Sequence, residues 1–86
     1  MPLFRFHLYN DIETMDPVGR VFPDFDAAHG DAIQNARALM AADLTGKGEI
    51  NLGHWIELED DAGEIAIVAF RDAVTIHDRL GGMAYG

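Results

Sequence analysis

Four histidines (His7, His29, His54 and His77) and fifteen carboxylates are the side chains of this 86-residue chain that could shuttle protons or hold a cation. A helical zinc motif sets two histidines four residues apart so that both rings meet one ion. No pair here has that spacing. Nucleophiles are scarcer still: there is no Ser and no Cys, and Thr14, Thr45 and Thr75 are the aliphatic hydroxyls. None of the three is the N-terminal residue, where a threonine is best activated. Ser–His–Asp and Cys–His relays are excluded by inventory, as are disulfides and zinc–thiolate centres. An acid–base reading would need His7 with Glu57 or Glu59. No catalytic residue, metal ligand set or cofactor is assigned, and the expectation is a protein that is not an enzyme.

Two further stretches invite a test. Between Asp43 and His54, Asp43, Thr45 and Asn51 fall where a calcium loop places oxygens, with Gly48 at its sixth position. Lys47 occupies a ligand position, however, and His54 stands where a bidentate Glu should close the loop. A helix-to-strand connection is the simpler reading, and Gly46, Gly48 and Gly53 lack the spacing of a phosphate-binding loop. The carboxylates Glu57, Glu59, Asp60, Asp61 and Glu64 gather at one hairpin end. They could bind a cation or a basic partner, or serve as solvated charges that discourage edge pairing.

The elements that must position these residues follow from periodicity. Leu3 to Tyr9 alternates, with Phe4, Phe6 and Leu8 on one face and Arg5, His7 and Tyr9 on the other, the pattern of a half-buried strand. Asp16-Pro17-Val18-Gly19 reads as a turn, and Arg20-Val21-Phe22 as a short second strand ended by Pro23. Asp24 suits a helix N-cap, and Asp26 in the first turn suits the helix dipole. At 100° per residue Phe25, Ala28, Ala32, Ile33, Ala36, Leu39 and Met40 share one stripe, and Gly46-Lys47-Gly48 stops the helix. Trp55 to Glu59 alternates, Asp60 to Gly63 turns, and Glu64 to Phe70 returns as a strand apolar on both faces, which implies cover on both sides. A short helix over Arg71–Ile76 and a loose tail from Gly81 complete the chain.

The expected fold is α+β: a two-layer ββαββ unit, with one amphipathic helix across one face of a four-stranded antiparallel sheet. Length allows one domain, drawn over residues 1–72 with a tail over 73–86. The face away from the helix should carry Arg5, His7, Tyr9, Trp55, Glu57 and Glu59. Trp, Tyr and Arg are over-represented at protein interfaces. That face could dock a protein partner or a second copy as a homodimer, be covered by the tail, or hold a small ligand or metal through His7 and neighbouring carboxylates.

Charge narrows the partners. Six cations stand against fifteen acids, for a net charge of −9. Nucleic-acid affinity comes largely from cations that displace phosphate counterions, so neither nucleic acid nor an anionic membrane surface is expected. The start, Met1 to His7, lacks the pattern of a signal peptide, and the longest apolar run, Ile65 to Phe70, is far too short to cross a bilayer. The expected location is cytoplasmic.

Taken together, these residues resemble a family of short alphaproteobacterial proteins known only as a domain of unknown function. Its pattern opens M-P-x-[YF]-x-F-H and carries a D-x-x-G turn, a P-D-x-x-A-A helix start and a W-x-[IFL]-E-[LIV]-x-D-x-x-G hairpin. The matching segments are Met1–His7, Asp16–Gly19, Pro23–Ala28 and Trp55–Gly63, followed by an apolar strand ending in Phe70. The resemblance spans roughly residues 1 to 72 and implies the same order of elements and a bacterial cytoplasmic origin. It implies no activity.

Overall fold

The alternation of Leu3–Tyr9 is realised as strand β1, which pairs antiparallel from Phe4 to Tyr9 with Trp55–Asp60, strand β4. The computed structural model describes residues 2–78. Beyond β4, a turn built on Gly63 (φ 81°) leads into Ile65–Ala69, strand β5, which pairs antiparallel with β4. Asp60 shapes that turn, its carboxylate accepting the N–H groups of Ala62 and Glu64.

On its other side β1 meets two short strands, Glu13–Thr14 (β2) and Arg20–Val21 (β3). The sheet therefore has five strands, not the expected four. The reason is local. From the pair Leu8↔Thr14 to the pair Phe4↔Arg20 the returning chain takes six steps against four on β1, so it bulges and its ladder breaks. The expected strand over residues 20–22 is the second half of this interrupted return.

Helix α1 runs Phe25–Lys47 across one face of the sheet. Asp24 caps its start by accepting the Ala27 N–H at 2.8 Å, and Gly48 ends it in the left-handed conformation (φ 69°), donating to Leu44 O. Residues 43–47 are thus helical, and the calcium-loop geometry does not form. The buried line along α1 is Ala28, Ala32, Ala36 and Met40, narrower than the expected stripe. Alanines seat the helix close to the sheet, so Phe25 and Leu39, expected inside, overhang and are 47% and 37% exposed.

Against these alanines pack Phe4, Ile56, Leu58 and Val68 from the sheet. A four-residue helix, Phe70–Ala73 (α2), adds two more core side chains, Phe70 and Ala73, and is shorter than the expected helix over 71–76. Arg37 on α1 holds this corner by donating to Ala73 O at 2.6 Å. Val74 packs on the same core. The tail expected to be loose, Gly81 to Gly86, lies outside the described residues.

Candidate functional site

Because side chains alternate along each strand, the pairing of β1 with β4 fixes which residues share the face away from α1. The register sets Arg5 opposite Glu59, His7 opposite Glu57 and Tyr9 opposite Trp55. Pairing of β4 with β5 extends these rows to Ile65, Ile67 and Ala69. The six residues singled out in the sequence thus lie on one face, while His29 is on the helix on the other side.

One end of the face is aromatic. The rings of Tyr9 and Trp55 stack with centroids 5.1 Å apart and planes within 6°. The Tyr9 phenol is held above its ordinary pKa, first by partial desolvation, then by the charges of Glu57 and Glu13 and hydrogen bonding to both. It remains a neutral donor among carboxylates. Beside this pair His54 packs edge-on against Phe70 and lies 3.6 Å from Asp11.

The middle of the face is built around His7, which is buried rather than open to a ligand. The bulge supplies its cover. Asp16 donates its backbone N–H to His7 Nδ1 at 3.0 Å, and His7 Nε2 lies 3.2 Å from Glu59 Oε1. An acceptor at Nδ1 places the proton of the neutral ring on Nε2, which then donates to Glu59. Both ring nitrogens are engaged inside the protein.

Asp16 itself replaces the missing ladder. Its carboxylate accepts the N–H groups of Phe6, Val18 and Gly19, the last at 2.9 Å. Burial acts to raise its pKa, but these three N–H groups and the adjacent His7 outweigh it and hold the carboxyl below the usual range. Gly19 (φ 76°) closes the turn so tightly that a Cβ there would stand 2.7 Å from Phe4 O. Sequence reasoning recognised the turn but not that its aspartate ties to the central histidine. The Asp-x-x-Gly spacing signals the side-chain-capped turn alone, and the tie to His7 comes from the pairing of distant segments.

The far side of the face is apolar and open. Ile65 and Ile67 are each 54% exposed, so the expected cover of β5 on both sides is absent among the described residues. Of the hairpin acids, Asp60 and Asp61 serve the backbone, Asp61 accepting the Leu3 N–H. Among the described residues no three His, Asp or Glu side chains come together in a way that could hold a metal ion. No described helix is long and apolar enough to cross a membrane.

Comparison with known proteins gives one finding. The model of the family described as a domain of unknown function (DUF6894) matches residues 3–71, and the chain belongs to that family. No curated protein and no solved structure matches it.

Proposed function

We propose that this member of the family is a non-catalytic interaction module that engages a protein partner or a second copy of itself through the face opposite α1. The observation that carries the reading is the Tyr9–Trp55 stack at one end of the face, with Ile67 and Ile65, each 54% exposed, further along β5 on the same face. Anchors at protein interfaces are typically rigid aromatics beside apolar surface, within a polar rim that excludes water. Here the polar groups are Glu13 opposite Tyr9, and Glu57 and Glu59 lying between β1 and the isoleucines, with Arg5 opposite Glu59. The alternative, a small-ligand or metal site using His7 and nearby carboxylates, is less favoured because both ring nitrogens of His7 already have partners.

The test is association of the Trp55→Ala and Tyr9→Ala variants, followed by sedimentation velocity and by cross-linking in cells of the source organism. Weakening of a complex by about tenfold or more, the scale of an interface anchor, is the expected outcome. If both variants leave every association unchanged, the face is not the docking surface.

A further inference from the structure

The two edges of the sheet are managed differently. Along β1 the outer edge is occupied by the interrupted return, with Pro17 and Pro23 beside it and Asp16 capping the gap. At the opposite edge β5 pairs, among the described residues, with β4 alone. Its sequence, Ile65-Ala66-Ile67-Val68-Ala69, has no charge, no proline and no bulge, the devices by which proteins blunt a free edge. Among the described residues the chain after β5 does not shield it: α2 turns to the helix side, where Arg37 clasps Ala73 O and Val74 packs against the core.

The phase of the free hydrogen-bonding groups can be read from the ends of the β4–β5 ladder. Asp60 N–H donates to Glu64 O and Phe70 N–H to His54 O, so the even-numbered residues of β5 face β4. The backbone N–H and C=O groups of Ile65 and Ile67 therefore point outward, as does the N–H of Ala69. The Ala69 C=O is spent as the N-cap of α2.

We propose that β5 pairs antiparallel with β5 of a second copy, about a two-fold axis at Ile67, joining two sheets into one. In this register Ile67 opposes Ile67 and can exchange both backbone hydrogen bonds, and Ala69 N–H meets Ile65 O of the other copy. Opposed residues then share a face, as antiparallel pairing requires. Two hollows flank the edge on the helix side. One, about 340 Å³, includes Phe25, Glu64 and Ala66; the other, about 250 Å³, includes His29, Ile33, Val68 and Asp72. The two-fold sets Ala66 opposite Val68 of the second copy, so each hollow meets its counterpart. Overhanging Phe25 then covers Ile33 of the other copy, and Glu64 approaches His29, which sits beside Asp72. In a chain of net charge −9, β5 itself carries no charge, so pairing it with β5 of a second copy sets no like charges directly opposite each other. The interface is the edge and not the Tyr9–Trp55 end; it shares Ile65 and Ile67 with the proposed docking face, and variants at Tyr9 and Trp55 tell the two apart.

Sedimentation velocity of the full 86-residue chain, at about 0.15 M salt where long-range repulsion is screened, should give twice the 9.5 kDa monomer. Ile67→Pro removes an N–H that the monomer does not use and should yield a folded monomer. Ile67→Lys should do the same by placing like charges opposite each other. The double variant Tyr9→Ala/Trp55→Ala should remain dimeric. Hydrogen exchange of the unaltered chain needs no variant: the Ile65 and Ile67 amides should be protected as well as those of Ala66 and Val68. A monomer at all concentrations overturns the proposal, as does rapid exchange confined to Ile65 and Ile67. A dimer that survives Ile67→Pro but is lost in the double variant overturns it while supporting the docking face.

Discussion

Asp16 and His7 hold each other in place from two directions: the Asp16 backbone N–H donates to His7 Nδ1, while the Asp16 carboxylate accepts from Phe6, the residue before His7 in β1. A bulge that would otherwise leave strand groups unpaired becomes a cap that fixes one tautomer of a buried imidazole. The cap also shapes the face away from α1, since it covers His7 and leaves Ile65 and Ile67 exposed.

The Asp16 carboxyl is depressed in the folded state, so its contribution to stability is complete above the unfolded carboxylate pKa and is lost as pH falls toward the folded value. Stability of the native protein should therefore decline below about pH 4. Asp16→Asn should cost about 1–3 kcal/mol at pH 7 and show a shallower decline in acid. Urea titrations at pH 7 and pH 3 would check this, and parallel slopes for the two proteins would count against it.

The tautomer can be read directly. Nitrogen-15 chemical shifts of His7 at a pH where the ring is neutral should place the proton on Nε2. His7→Phe, which strands the Asp16 N–H and removes the partner of Glu59, should cost about 1–3 kcal/mol. A neutral ring protonated at Nδ1 would contradict the hydrogen bond from Asp16.

Much of this arrangement was legible beforehand because strand periodicity is strict. The alternation of Leu3–Tyr9 and Trp55–Glu59 placed Arg5, His7, Tyr9, Trp55, Glu57 and Glu59 on one face, and Asp24 and Gly48 marked the helix ends. What escaped depended on contacts between distant segments. Nothing local in Asp16 says that it will bridge to Phe6 and His7, and an apolar β5 reads the same whether it is covered or left at an edge. The exposure of Phe25 and Leu39 likewise reflects how closely an alanine-lined helix seats, which a wheel projection does not contain.

Three glycines in different settings should respond in opposite directions. Gly19 combines a positive φ with a Cβ position 2.7 Å from Phe4 O, so Gly19→Ala meets both strain and a backbone clash. A loss of about 2 kcal/mol or more is expected. Gly48→Ala has the strain (φ 69°) without the clash and should lose about 1 kcal/mol. Gly30 lies within α1 with open space at its Cβ, and Gly30→Ala should gain about 0.5–1 kcal/mol. Thermal melts ranked Gly30→Ala, native, Gly48→Ala, Gly19→Ala would bear out the series, and an inverted order would refute it.

The close seating of α1 makes the sharpest packing forecast. Ala32 and Ala36 are both fully buried against a core that holds Ile56 and Val68. A leucine at Ala32 adds three carbons where no space is left, which forces the helix outward at a cost of about 1–3 kcal/mol. Truncating Leu58, 1% exposed, opens a cavity instead and should cost about 2–5 kcal/mol. Leu39→Ala, at a position already overhanging solvent, should cost under about 1 kcal/mol. Equal penalties for Leu39→Ala and Leu58→Ala would mean that the helix rests on a broader apolar stripe than its line of alanines.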